Sequence, residues 1–362
     1  MSAIREVRDE SPPGNVMKVA SVGAGLGTST SARTGARAQP APEPGAEGDG
    51  DGSEAESERG SPSVAQGLLN LAPVTFVSRL FERRAFEEGT FDVEGLRLHY
   101  ERHGEGSKVL VFLHGLLLDN QLSRRLAADL ADRGFQVVLL DLPGHGGSDK
   151  PRHASAHRMD SYARYVVALL DELGIDQAVI GGVSLGANVS LQVAVQAPER
   201  VRGLLIEMPV LEWAVPGAAV VFLPMLLGVH YAAPLVRIVA SLARRVPRTT
   251  VAPLDSVVTM ITAEPEEIAA VLHGMLVGPI TPTYEARQAI KAPALVIGHK
   301  IDFIHPFTDA DHLTRQLQHA RLVEARSIFE LRVAPDRLTA EIAEFLDATL
   351  DDSEPEALDQ SA

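Results

Sequence analysis

Residues 182–186 read Gly-Val-Ser-Leu-Gly. This G-x-S-x-G pattern follows an apolar run, Ala178-Val179-Ile180, and precedes a helix-like run from Ala187 to Ala197. In a strand–turn–helix setting such a serine sits on a sharp, strained turn that lifts its hydroxyl above the end of the strand, with a helix N-terminus beneath it. The glycines two before and two after it keep side chains out of the space between strand and helix. The chemistry this spacing suits is nucleophilic acyl transfer by Ser184; the plainer alternative is a serine that merely caps a helix. A serine hydroxyl is a weak nucleophile, so the same site also needs an adjacent base, a group that orients the base, and donors for the developing oxyanion.

The elements that must hold these groups alternate along the chain. Apolar runs predict strands at residues 109–113, 135–140, 177–183, 201–206, 294–297 and 320–324, and a strand pair over 91–102 turning at Glu94-Gly95. Helical periodicity covers 122–133, 159–173, 308–317 and 335–350. Alternation with short loops predicts an α/β fold with a doubly wound, mostly parallel sheet. Residues 209–290 break it with apolar helical runs at 220–227, 235–242 and 265–276. They are expected to form a helical cap over the carboxyl edge of the sheet, lined for an apolar substrate.

In motif content and order the chain resembles the α/β-hydrolase superfamily over roughly residues 91–350. His114-Gly115 ends the third expected strand, as in that family's HG motif. Asp141-Leu142-Pro143-Gly144-His145-Gly146-Gly147-Ser148-Asp149 is similar to its D-x-P-G-x-G-x-S loop. The elbow at Ser184 comes next, and Asp302, ahead of Pro306, stands at the place of the catalytic acid. The resemblance implies Ser184 as nucleophile, Asp302 as acid, and the backbone N–H groups of Leu185 and Leu116 as the oxyanion hole, with no cofactor and no metal. His114 reads as a histidine that braces its loop. The segment from Pro143 to Asp149 reads as a turn outside the chemistry.

One part of the family pattern is missing. Its histidine follows the last strand, where this chain has Glu324 to Pro335, with Ile328 at about the expected place and no histidine beyond His319. Three accounts stay open. A histidine from elsewhere serves, with His305 chosen as base over His299, His230 and His273. Alternatively, the fold is a pseudo-hydrolase that binds an apolar ligand or a protein partner. Or other chemistry uses a group such as Glu207 or Glu330.

Composition limits the rest. The chain has 362 residues and a formal net charge of −15, which argues against a nucleic-acid partner. Cysteine is absent, which excludes disulfides, thiolate metal sites and thiol catalysis. Residues 1–62, rich in small residues and carrying an acidic block between Glu43 and Glu58, are expected to be a disordered tail, and 351–362 a second acidic tail. Residues 63–90 are expected to form an amphipathic helical segment, through Leu68, Phe76 and Phe81, that packs on its own domain or faces a partner or lipid. Residues 91–208 and 291–350 would then be the hydrolase core. No apolar run has the length of a membrane span and no signal-peptide core is evident, so a cytoplasmic protein is expected, with peripheral membrane contact open and the oligomeric state undetermined. The expected function is hydrolysis of, or acyl transfer from, an apolar acyl ester or thioester.

Overall fold

The computed structural model describes residues 85–245 and 252–351. β1 (Glu87–Val93) and β2 (Leu96–His103) form an antiparallel hairpin. Its turn lies at Glu94-Gly95, both at positive φ (49° and 79°), the backbone that a tight two-residue hairpin demands. The apolar runs then become β3 (Val109–Leu113), β4 (Gln136–Leu140), β5 (Ala178–Val183), β6 (Val201–Glu207), β7 (Ala294–His299) and β8 (Ala320–Ala325). The strands β3 to β7 are buried along almost their whole length, as strands covered on both faces must be.

The sheet order is β1-β2-β4-β3-β5-β6-β7-β8. β2 pairs antiparallel with β4, and all further pairs are parallel. Helices α1 (Arg124–Ala131), α2 (Met159–Glu172) and α3 (Leu185–Gln196) connect the first parallel strands. Between β6 and β7 come α4 (Val215–Tyr231), α5 (Ala233–Ala243), α6 (Ala252–Thr262), α7 (Pro265–Val277) and α8 (Tyr284–Gln288). The chain ends with α9 (Phe307–Gln316), the short α10 (Glu330–Val333) and α11 (Asp336–Leu350). Side chains alternate across each strand. Val111, Leu113 and Ile180 therefore pack with Leu169, Val189 and Leu313 on one face of the sheet, while Leu110, Phe112 and Val179 meet Leu130, Ile342 and Leu346 on the other. The doubly wound sheet is the one the alternation predicts.

One boundary needs correction. β1 begins at Glu87, inside the stretch 63–90 expected to be helical. Glu87 is in register with Arg102 and ion-paired to it, so the hairpin's ladder and cross-strand pairing extend the strand past Phe91. The remainder of that segment, the tail 1–62 and the acidic end from 352 lie outside the described residues.

Among the helices α4 to α8, α6 packs on the loop after β3, α7 on the loop after β4, and α4 clusters with Leu116 and Leu117, while α5 packs on its neighbours α4, α6 and α7 and α8 rests on α3 and α9. Buried polar residues tie both ends of this cap to the sheet's own helices. Asp309 in α9 accepts the N–H groups of Leu211, Trp213 and Ala214 at 2.8, 3.1 and 2.9 Å. Asn188 in α3 accepts from the Val210 N–H and donates to the carbonyls of Val210 and Ile280. Arg287, fully buried, joins Glu212 at 2.6 Å to Gln316 at 2.7 Å.

Candidate active site

Ser184 joins β5 to α3 with φ 54° and ψ −107°, a conformation that costs a non-glycine residue energy and persists only where its surroundings enforce it. Its N–H donates to the Glu207 carbonyl at 2.9 Å, and its carbonyl accepts the Asn188 N–H at 3.1 Å. A Cβ at Gly182 would come 2.6 Å from the Leu113 carbonyl, and one at Gly186 would run into the same group. The two glycines therefore allow the elbow to sit against the end of β3.

The hydroxyl of Ser184 lies 2.8 Å from His305 Nε2. His305 Nδ1 lies 2.9 Å from Asp302 Oδ2. The other carboxylate oxygen of Asp302 accepts the backbone N–H groups of Ile304 at 2.8 Å and His305 at 2.9 Å, so the loop turns back on its own aspartate. Pro306 then opens α9. Burial works to raise the Asp302 carboxyl, but the His305 hydrogen bonds, its charge and the Ile304 N–H outweigh it and bring the pKa down to about 2. An ionised Asp302 accepts the Nδ1–H, and that tautomer turns the Nε2 lone pair toward the serine O–H.

The other candidates lie elsewhere. His299 is buried, donating Nδ1–H to the Ser327 carbonyl at 3.0 Å with Nε2 3.6 Å from Glu207. His230 and His273 are exposed on the cap. Glu207 is fully buried in a two-pronged pair with Arg332, at 2.8 and 3.1 Å. Burial raises that carboxyl, and Arg332 with His299 more than offsets it, so the net direction is down. Glu330 pairs with Arg337 at 2.8 Å.

The oxyanion donors expected from the sequence occupy the two sides of the elbow. Leu185 is the first residue of α3, and the N–H groups of a helix's first turn have no partner within the helix. Leu116 lies in the loop after β3, where a Cβ at Gly115 would stand 3.7 Å from the Val183 carbonyl. That loop is held in a strained shape, with Leu117 at φ 59°. Two histidines hold it by reciprocal bonds. His145 Nε2, from the loop after β4, accepts the Leu117 N–H at 3.1 Å while its Nδ1–H donates to the Pro143 carbonyl at 3.0 Å. His114 Nε2, from the loop after β3, accepts the Leu142 N–H at 3.0 Å while its Nδ1–H donates to the Gly115 carbonyl at 2.9 Å. Burial holds the His145 pKa well below the ordinary histidine value. His145 is thus a neutral acceptor, and it is the residue sequence reasoning missed. Pro143 to Asp149, read from the sequence as a turn outside the chemistry, thus also braces the loop that carries Leu116. Two histidines at the ends of two adjacent strands were the available signal.

Above this loop, Leu116 and Leu117 pack with Phe222, Met225 and Val229 of α4 and Leu272 of α7, an apolar wall beside the serine's loop. Among the described residues, Glu88, His99 and Glu101 lie close enough together to share a metal ion. Glu101 is held by Arg124 at 2.8 Å and His99 by Asp141 at 2.9 Å, so local ion pairs already account for two of them.

Residues 108–227 match the family model for the alpha/beta hydrolase fold. A segment of 121 residues is 42% identical to the dihydrolipoyllysine-residue acetyltransferase component of an acetoin cleaving system from Cupriavidus necator, covering 33% of this chain and 31% of that protein. Another of 123 residues is 36% identical to a 2-hydroxy-6-oxononadienedioate/2-hydroxy-6-oxononatrienedioate hydrolase from Burkholderia vietnamiensis, covering 33% and 41%. The chain thus spans less than half the length of these curated relatives. Among solved structures, the enol-lactonase from Burkholderia xenovorans LB400 superposes with a TM-score of 0.58 at 22% identity, over 71% of this chain and 99% of that one. The relatives so matched are hydrolases and an acyltransferase.

Proposed function

We propose that this member of the α/β-hydrolase superfamily is a hydrolase or acyltransferase that takes apolar acyl esters or thioesters through Ser184. The observation that carries the reading is the chain of contacts from Ser184 Oγ to His305 Nε2 (2.8 Å) and from His305 Nδ1 to Asp302 (2.9 Å). In this mechanism the Ser184 oxygen bonds to the acyl carbon as its proton passes to His305 Nε2. The carbonyl oxygen takes up the negative charge and is met by the N–H groups of Leu185 and Leu116. Asp302 remains ionised and stabilises the imidazolium, consistent with its lowered pKa. The imidazolium then gives its proton to the departing alcohol or thiol, which leaves an acyl-serine. Water, or an acceptor alcohol or thiol, attacks that ester with His305 again taking the proton, and Ser184 is restored.

The apolar wall supports the choice of acyl group. Phe222 and Met225, the partly exposed members of that wall, offer no hydrogen bond to a polar chain and gain by burying an apolar one. The binding-only alternative rests on the absence of a histidine after β8; a histidine nitrogen within hydrogen-bond distance of the serine favours catalysis over it. The test is turnover of p-nitrophenyl esters of increasing acyl length by the intact chain. The reading expects kcat/KM to rise from acetate to the medium-chain ester, by about fourfold per added methylene if each is fully buried. Hydrolysis no faster than that of the folded Ser184→Ala variant for every ester and thioester would overturn it.

A further inference from the structure

The cap's outer surface has no use in this chemistry, yet its composition is unlike the rest of the chain. From Trp213 to Leu254 the sequence contains no acidic residue and four arginines, Arg237, Arg244, Arg245 and Arg248, in a protein whose net charge is −15. The 17 residues of α4 include no Asp, Glu, Lys or Arg. One side of α4 is spoken for, because Phe222, Met225, Leu226 and Val229 pack inward on α7. The opposite side carries Val220, Leu223 and Leu227 at helical spacing, all exposed. α5 repeats the arrangement with Leu235, Ile238 and Leu242, also exposed, while its Ala240 is buried. An amphipathic helix ordinarily turns such a stripe into the protein. Here the helices turn apolar side chains both ways.

The exposed stripe runs up to the catalytic loop. α4 at Gly217 lies against the Phe303 carbonyl, and Phe303 and its neighbour Ile301 are 71% and 92% exposed. These two side chains immediately flank Asp302. A surface that covered the stripe would therefore lie at the loop that carries Asp302 and His305.

We propose that the outer faces of α4 and α5, with Ile301 and Phe303, dock on an anionic lipid bilayer. The apolar faces of α4 and α5, helices that carry no carboxylate of their own and are bordered by arginine, are complementary to acyl chains beneath anionic headgroups. The helices lie on such a surface rather than cross it. No single described helix is long and apolar enough to span; α4 and α5 reach the length and composition of a span only as a pair, and the 97° bend where they meet suits helices laid along a surface. Arg237 and Arg244 pair with Glu266 and Glu264 of the cap and remain about half exposed. The inference stands independently of the chemistry at Ser184, because its readout is binding.

The test is cosedimentation of the full chain with phosphatidylcholine vesicles, with and without phosphatidylglycerol, at low and high salt. Binding is expected to phosphatidylglycerol-containing vesicles, weakening with salt. Leu235→Glu with Ile238→Glu should abolish it, and Arg244→Gln with Arg245→Gln should weaken it about fivefold per arginine. Both pairs lie on the surface, so unchanged thermal melts and unchanged turnover of a soluble short ester are the controls for folding. Failure of the wild-type chain to sediment, or equal binding by the Leu235→Glu/Ile238→Glu variant, would overturn the proposal. So would a concentration-dependent dimer that this variant dissociates, which would assign the face to a second copy. So would lipid-free photocrosslinks from position 235 to residues 68–81, which would assign it to the chain's own N-terminal segment.

Discussion

The loop after β7 and the segment after β8 leave neighbouring parallel strands at the same edge of the sheet, and they do opposite things. The first turns tightly on Asp302 and presents His305 to Ser184. The second, where the family pattern would place its histidine, sends Arg332 down to neutralise the buried Glu207. Glu207 also receives the Ser184 N–H on its backbone carbonyl. One loop therefore contacts the serine hydroxyl through His305, and the other pairs with the side chain of the residue whose carbonyl holds the serine N–H. With Asp302 and His305 three residues apart on a single turn, the proposed mechanism does not need the distant histidine. The position released after β8 is then available for structural work.

The sharpest way to break this contrast is to remove one partner from each loop. His305→Ala should cost about 10⁴–10⁶ in kcat, as should Ser184→Ala, and the double variant should be little worse than either, because groups that act as a unit are not additive. Steady-state kinetics on a p-nitrophenyl ester measures all three. Arg332→Ala should do the reverse. It leaves a buried carboxylate unpaired, so urea unfolding should show a loss of about 3–5 kcal/mol, while kcat of the folded fraction stays much nearer to the wild type. If Arg332→Ala proved the more damaging to chemistry and His305→Ala the more damaging to stability, the division of labour would be wrong.

A smaller effect sharpens the contrast on the other side of the elbow. His145→Leu deprives the Leu117 N–H of its acceptor and frees a strained loop. The expected result is a drop in kcat of about 10- to 100-fold with KM little changed, somewhat below the loss of a whole oxyanion donor. The smallest effects are in pH. A native His145 held neutral binds fewer protons than an unfolded one, so stability should decline as pH falls below about 6.5, the unfolded value. His145→Leu should flatten that decline in a plot of Tm against pH. Asp302, lowered to about 2 in the folded chain, contributes stability that is present above the unfolded carboxylate value of about 3.9 and is lost as pH falls through about 2. Asp302→Asn should remove that second, more acidic loss.

Much of this frame is legible from periodicity alone. The run Val109–Leu113 becomes β3 residue for residue, because five consecutive apolar side chains suit a strand buried on both faces. The turn at Glu94-Gly95 is equally plain. The start of β1 is not, since Glu87 and Gly89 carry no apolar alternation and owe their strand to pairing with β2. Local pattern also places His305 three residues past Asp302, but the same pattern places His299 three residues before it. Only the turn that closes on the Asp302 carboxylate decides which ring faces the serine. The bond from His145 to Leu117 spans 28 residues and joins two loops, so no local pattern contains it.

The central claim is that the loop after β7 supplies the base that activates Ser184. Treating the wild-type chain with a fluorophosphonate and reading intact mass and peptide map tests it most directly. The prediction is one adduct on Ser184, absent in His305→Ala and retained in Arg332→Ala. No adduct on the folded wild-type chain, or equally fast labelling of His305→Ala, would contradict it.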